Sequence, residues 1–228
     1  MKLLAEPRDL HQAYVTADPF PHAVIDGLFP EQDLQEVRCL FPGPDEIEWV
    51  RFASSEERKL GFHHRSLYAL PHPIRDFLFW MNSPPVLEFL EQLTGIAGLI
   101  PDPYFGGGGL HQTLPGGFLQ IHADFNVHPL LRLDRRLNVL VFLNESWPEE
   151  YGGELELWDA EMRSCRRRIL PIWNRTVIFS TTDSSYHGHP KPLSCPADRT
   201  RKSLSFYYYT NGRPAEEASA PHDTIFRA

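Results

Sequence analysis

The sequence predicts a mainly β fold with supporting α-helices, built on a jelly-roll core of the cupin type. Two observations carry that prediction. From about residue 99 onward, short apolar runs rich in β-branched and aromatic residues recur, with turn residues every 8 to 12 positions, which is the spacing of a sandwich or barrel. Ahead of them, three stretches repeat their apolar residues at helical spacing and end on proline or glycine. At 228 residues, the chain is expected to form a single domain over 1–228, large enough for a substantial core. Within it, 1–98 would hold an N-terminal strand and the supporting helices, 99–210 the β core that carries the chemistry, and 211–228 a C-terminal tail.

Composition narrows the class. A formal net charge of −8 disfavours broad nucleic-acid or anionic-membrane binding, and no run of 18 apolar residues offers a membrane span. The N-terminus meets charge too early for a signal-peptide core. Cys39, Cys165 and Cys195 are odd in number and widely spaced, which fits a reduced, cytoplasmic protein.

Taken in order, residues 1–18 read as a loose arm or short helix, and Phe20 to Phe29 as a strand closing on the Asp26-Gly27 turn. A helix is expected from about Glu31 to Leu40, with Pro30 at its mouth and Leu34, Val37 and Leu40 on one face. Residues 45–66 are less regular: Glu48 to Phe52 reads as a strand and the remainder as a charged loop, with His63 and His64 as loop or surface residues. Two helices follow, over 72–82 and 84–94. The second has Ser83 as N-cap, Pro84 and Pro85 in its first turn and Gly95 beyond its end. The four glycines at 106–109 lack the lysine and the helix of a phosphate loop, and read as a permissive turn. Strands are expected at 108–113, 117–122, 136–143, 153–158, 165–170, 174–179, 185–189 and 201–210.

The chemistry is concentrated in two stretches. Ile121-His122-Ala123-Asp124 ends a strand, and alternation turns His122 and Asp124 to the same side. Tyr186-His187-Gly188-His189 lies far along the chain, after the apolar run Thr176 to Phe179. Taken alone, His-x-Asp is equally a solvated turn. Joined by a third ligand from the distal stretch, it becomes the two-histidine, one-carboxylate set with an open face that suits non-haem Fe(II), whereas zinc usually takes a closed tetrahedron or three ligands and water.

Past a loop, Arg201 to Tyr209 reads as a strand with a cation at its start. This order (His-x-Asp, a long gap, His, then Arg or Lys) resembles the prolyl 4-hydroxylase-like branch of the 2-oxoglutarate- and Fe(II)-dependent oxygenases. The likeness runs from about Pro19 to Thr210 and includes Gly152-Gly153-Glu154-Leu155-Glu156-Leu157-Trp158. It implies a double-stranded β-helix, with Fe(II) on His122, Asp124 and His187, 2-oxoglutarate and O2 as cosubstrates, and ascorbate as an auxiliary reductant. Family patterns place the distal ligand before glycine, which favours His187 over His189.

The far carboxylate of 2-oxoglutarate needs a cation, and arginine suits planar, two-point recognition. Arg201 is the choice. Alternation puts Arg201, Ser203, Ser205 and Tyr207 on one face and Lys202, the runner-up, on the other. Ser205 would add a hydroxyl. Asn138, a polar residue within an apolar strand, would either contact the cosubstrate or satisfy backbone at a bulge, and Gln112 is a weaker case of the same kind. His111 and His128 read as packing or loop residues. Arg163, Arg166, Arg167 and Arg168 read as an exposed hairpin, or else as a surface for an acidic substrate.

The implied reaction is hydroxylation of an unactivated C–H bond, on a prolyl-type residue of a peptide or protein or on a small molecule. An oxidative halogenase would need a small residue where Asp124 stands. A cupin-like metal-binding module or inactive relative, and a zinc hydrolase, are the other readings.

Overall fold

A computed structural model of the chain describes residues 1–62 and 67–227. His63 and His64 lie outside those residues.

The elements run in the order α1 (Pro7–Val15), β1 (His22–Asp26), α2 (Glu31–Cys39), β2 (Val50–Ala53), β3 (Glu57–Phe62), α3 (His72–Met81) and α4 (Pro84–Thr94). There follow β4 (Ile100–Pro101), β5 (Gly109–Thr113), β6 (Phe118–Ala123), β7 (Asp134–Phe142), β8 (Leu155–Trp158), β9 (Cys165–Ile169), β10 (Arg175–Ser180), β11 (His187–His189), β12 (Arg201–Thr210) and β13 (Ile225–Phe226). The eight strands expected between 108 and 210 correspond to β5 through β12. The expected helices are α2, α3 and α4. Gly95 closes α4 in the left-handed conformation, φ +76°, where its N–H donates to Glu91 O. Ser83 stands at the N-cap with extended backbone, but its hydroxyl makes no capping bond.

The strands form one curled antiparallel sheet in the order β1-β10-β7-β12-β5-β3-β6-β11-β8-β9. The turn from one half to the other is made by β3, whose Leu60–Phe62 pair with β5 while Glu57 and Arg58 pair with β6. The sheet thus folds over on itself as a jelly-roll. β3 falls where the sequence suggested a charged loop. Its charges are absorbed by pairing: Lys59 lies 3.0 Å from Glu57 and over the Phe52 ring.

The four helices cover one face of β7, β10 and β12, where Ile74, Phe77 and Leu78 of α3 and Leu90 and Leu93 of α4 pack on Val139, Leu204 and Phe206. Tyr14 of α1 is buried there too and hydrogen-bonds to Ser180, so the N-terminal arm is a docked helix. Burying a large apolar side chain of this kind stabilises by roughly 1.5–3 kcal/mol relative to leaving it exposed. The opposite face of the sheet, inside the curl, carries a smaller cluster of Phe142, Leu155, Val177 and Phe179, and the polar side chains described next. Among the described residues, no helix is long and apolar enough to cross a membrane.

Candidate metal centre and cosubstrate pocket

β6 and β11 are neighbours, with His187 in register with His122, so two histidines distant in sequence meet on one face of the sheet. Asp124 follows the end of β6. His122 Nε2 lies 3.5 Å from Asp124 Oδ1, and His187 Nε2 lies 3.5 Å from Asp124 Oδ2. One ligand atom from each residue falls within 4.8 Å of the others. Both imidazoles are fixed through their other nitrogen: Nδ1 of His122 bonds to Gln120 O at 2.9 Å and Nδ1 of His187 to Ser185 O at 2.9 Å. A carbonyl oxygen can only accept, so Nδ1 carries the hydrogen, and in the neutral ring Nε2 presents a lone pair. Burial, opposed by Asp124, lowers the His187 pKa to about 4, so that ring is neutral at physiological pH. Two imidazole Nε2 atoms and a carboxylate therefore converge, an arrangement that a divalent cation satisfies. The residues fit the group that the motif implies.

Burial alone would raise the Asp124 carboxyl, but Arg135 above all, followed by the two histidines, holds it well below the usual carboxylate range. Arg135 Nη2 lies 3.1 Å from Asp124 Oδ2 and donates to Asn138 Oδ1 at 2.5 Å, while Asn138 Nδ2 donates to Asp124 Oδ2 at 2.7 Å. The guanidinium is itself held between aromatic rings, 3.5 Å from the Tyr207 centroid and 4.5 Å from that of Phe125. Asn138 therefore faces the site, but its amide nitrogen is bonded to Asp124.

A cavity of about 260 Å³ opens beside these residues, and Arg201, Ser203, Ser205 and Tyr207 all line it, as strand alternation requires. The Arg201 Nε donates to Gly153 O at 2.8 Å and its guanidinium lies over Phe142. No carboxylate forms an ion pair with it among the described residues, and burial pulls it down to about 9. Gly153, at φ +77°, is required here: a Cβ would come within 2.9 Å of Arg201 Cδ. His189 lines the same cavity with its Nδ1 unbonded.

Two expectations are corrected. Gln112 projects from the other side of β5, away from the cavity that His111 and Thr113 line, and its amide is taken up by Pro42 O and by the Thr200 hydroxyl. His111 belongs to the cavity wall. Lys202 projects to the far side of β12, over the Phe41 ring. His128 is buried away from the site and caps its own loop, accepting from the Leu130 and Leu131 N–H groups. Arg166 and Arg168 form ion pairs with Asp18 and Glu156.

Two features of the site carry no signal in the sequence pattern. Alternation from Asn138 would turn Arg136 into the site, yet Arg135 is there. The register with β12 slips, Tyr208 facing Leu137 and Tyr209 facing Arg135, so that β7 bulges by one residue and re-aims Arg135 inward. Arg136 instead pairs with Glu217. The second feature is the C-terminal segment. Ile225 and Phe226 pair with Ala123 and His122, and Thr224 and Phe226 line the cavity. Asn126 donates to Ser219 and Ala220, His222 pairs with Asp183, and Arg227 reaches the Tyr186 hydroxyl. A lone apolar pair in a polar tail gives almost no signal.

Residues 108–209 match the profile of the 2OG-Fe(II) oxygenase superfamily. In sequence, the chain is similar to prolyl 3-hydroxylase OGFOD1 of Mus musculus, 29% identical over 79 residues, which is 33% of this chain and 14% of that protein. The chain thus spans only a small part of that relative's length. In structure, it is similar to a prolyl 4-hydroxylase of Pseudomonas putida, with TM-score 0.63, 14% identity, and 91% of this chain and 100% of that one covered. It is also similar to HygX of Streptomyces hygroscopicus, solved with nickel, 2-oxoglutarate and hygromycin B, with TM-score 0.60, 13% identity and 96% of both chains covered. A prolyl hydroxylase of Trichoplax adhaerens, solved with a hypoxia inducible factor peptide, gives TM-score 0.60, 16% identity, and 89% of this chain and 88% of that one. The matched residues 108–209 contain His122, Asp124, His187 and Arg201, and the chain has the double-stranded β-helix fold of these solved oxygenases.

Proposed function

We propose that the protein is an Fe(II)- and 2-oxoglutarate-dependent dioxygenase that hydroxylates an unactivated C–H bond. His122, Asp124 and His187 are the metal ligands in this reading, and the single observation that carries it is the convergence of both Nε2 atoms on the carboxylate. Fe(II) with 2-oxoglutarate supplies the oxygen-activating chemistry, in which the cosubstrate is decarboxylated to succinate and CO2 as one oxygen atom goes to the substrate. The chain's own residues bind, orient and exclude. Arg201, buried and in no ion pair among the described residues, is the anchor for the distant carboxylate of the cosubstrate, and Ser205, on the same face of β12, adds a hydroxyl donor. Phe125, Tyr207 and Phe226 wall the cavity beside the ligands and shield the reacting group from water.

The substrate is a prolyl-type residue of a peptide or protein, or a small molecule. The relatives support both classes: they include prolyl hydroxylases, one solved with a peptide, and HygX solved with hygromycin B. Cys39, Cys165 and Cys195 are unpaired, as a cytoplasmic setting would leave them. The experiment is a substrate panel scored by succinate formation with Fe(II) and 2-oxoglutarate, with product mass read in parallel. Coupled succinate release and a gain of about 16 Da support hydroxylation. Metal loading without cosubstrate turnover on any substrate would instead favour a cupin-like binding module.

A further inference from the structure

We infer that Arg135 and Asn138 are positioning residues that commit Asp124 to ligating through one oxygen, Oδ1. The inference rests on the metal-site reading above and concerns how this chain prepares its carboxylate. A free carboxylate has two equivalent oxygens and can turn to offer either or both. Here the two are made unequal. Oδ2 accepts from Asn138 Nδ2 at 2.7 Å and forms an ion pair with Arg135 Nη2 at 3.1 Å, so two side chains engage it. Oδ1 instead faces another ligand atom, His122 Nε2, at 3.5 Å. A cation arriving among the three ligands therefore meets Oδ1 open, and Oδ2, although 3.5 Å from His187 Nε2, already engaged by two side chains.

The device is braced from behind. Arg135 also bonds Asn138 Oδ1, closing a triangle of three side chains on Oδ2. Tyr207 stands in register with Asn138 on the adjoining strand, stacks on the guanidinium at 3.5 Å, and is tied by its hydroxyl to Gly107 O at 2.8 Å. The bulge in β7 exists at the residue that must turn for Arg135 to reach inward. A buried arginine desolvated beside a metal ligand is costly unless it is fully paired, so its presence calls for a role that packing alone would not require.

Arg135 acts in two opposed ways. Its ion pair with Oδ2 and its hydrogen bond to Asn138 orient Asp124, which strengthens metal binding, while its positive charge repels a dication, which weakens it. Asn138 orients without charge, so the pair of residues separates the two effects. The test is Co(II) binding to the full chain, followed by visible absorption, which reports the number and geometry of ligands, with the melting temperature of the metal-free protein measured alongside. Asn138→Ala should lose roughly 10- to 100-fold in Co(II) affinity, the range expected when the hydrogen-bonding partner of a ligand is removed, with an altered spectrum. Arg135→Met should lose affinity as well, and Arg135→Lys, which keeps a donor and the charge, should recover part of it.

Wild-type affinity and spectrum in both Asn138→Ala and Arg135→Met, with only the melting temperature lowered, would show a purely structural role and overturn the inference. Tighter Co(II) binding by Arg135→Met would show that charge outweighs orientation and would also overturn it for Arg135. Wild-type protein that binds no Co(II) would overturn the metal site itself, and this inference with it.

Discussion

Replacing Arg201 by methionine separates the cost of a buried cation from its use. Burial lowers the guanidinium from 12.5 to about 9. A base whose folded pKa lies below its unfolded value favours folding above the unfolded pKa, and that advantage is lost as pH falls through about 9. At neutral pH the full penalty is present, on the order of a few kcal/mol. Methionine removes that penalty and leaves Gly153 O without its donor, a loss of about 1 kcal/mol, so the cosubstrate-free Arg201→Met protein should melt no lower than wild type.

Cosubstrate binding should move the other way. Two charge-assisted hydrogen bonds to a carboxylate contribute about 1.5–3 kcal/mol each, so their loss should weaken 2-oxoglutarate binding by ~100-fold or more. In a thermal-shift assay with saturating Ni(II), 2-oxoglutarate at about 100 times the wild-type Kd stabilises by ~2.7 kcal/mol, or roughly 5–10 °C for a chain of this size. The same concentration should shift Arg201→Met by about 1 °C. Lys202→Met, altered on the opposite face of β12, should keep the wild-type shift. An undiminished 2-oxoglutarate shift in Arg201→Met, or its loss in Lys202→Met, would refute the assignment.

The remaining predictions fall on other parts of the structure. Gly188→Ala places a Cβ 2.7 Å from Gln120 O and 2.8 Å from Leu119 O, so it should force β11 away from β6, destabilise by about 1–3 kcal/mol and abolish Co(II) binding; normal binding in that variant would contradict the close strand approach. Phe226→Ala opens the wall beside His122, 5.4 Å from its ring; it should leave Ni(II) and 2-oxoglutarate binding intact but raise succinate formed per product, which mass spectrometry would measure. Leu204→Ala, at a position with no exposure, should cost about 2–5 kcal/mol in denaturant unfolding while the metal stoichiometry stays unchanged.

What was legible in the sequence follows from which signals are local. The strands of the core announced themselves through β-branched runs between turn residues, and the facing of Arg201, Ser203, Ser205 and Tyr207 follows from the period of two along β12. His122 and Asp124 were readable for the same reason. Arg135 was not, because a bulge breaks that period, and a bulge is set by how β7 pairs with β12. β3 was hidden because Glu57 and Lys59 look solvated until they pair with each other inside the fold. Gln112 was misplaced because a buried amide needs partners, and sequence does not say whether those are ligand or backbone; here they are Pro42 and Thr200. Residues 219–227 owe their position to contacts with both ligand-bearing stretches, distant in the chain, and carry no periodicity of their own.

The most direct test of the metal site is anaerobic Fe(II) titration of wild type, His187→Ala and His189→Ala. His187 has its Nε2 aimed at Asp124, whereas His189 lines the cavity without belonging to that trio. One Fe(II) per chain is expected in wild type and in His189→Ala, and no specific binding in His187→Ala. Near-native iron affinity in His187→Ala, with loss of iron in His189→Ala, would contradict it.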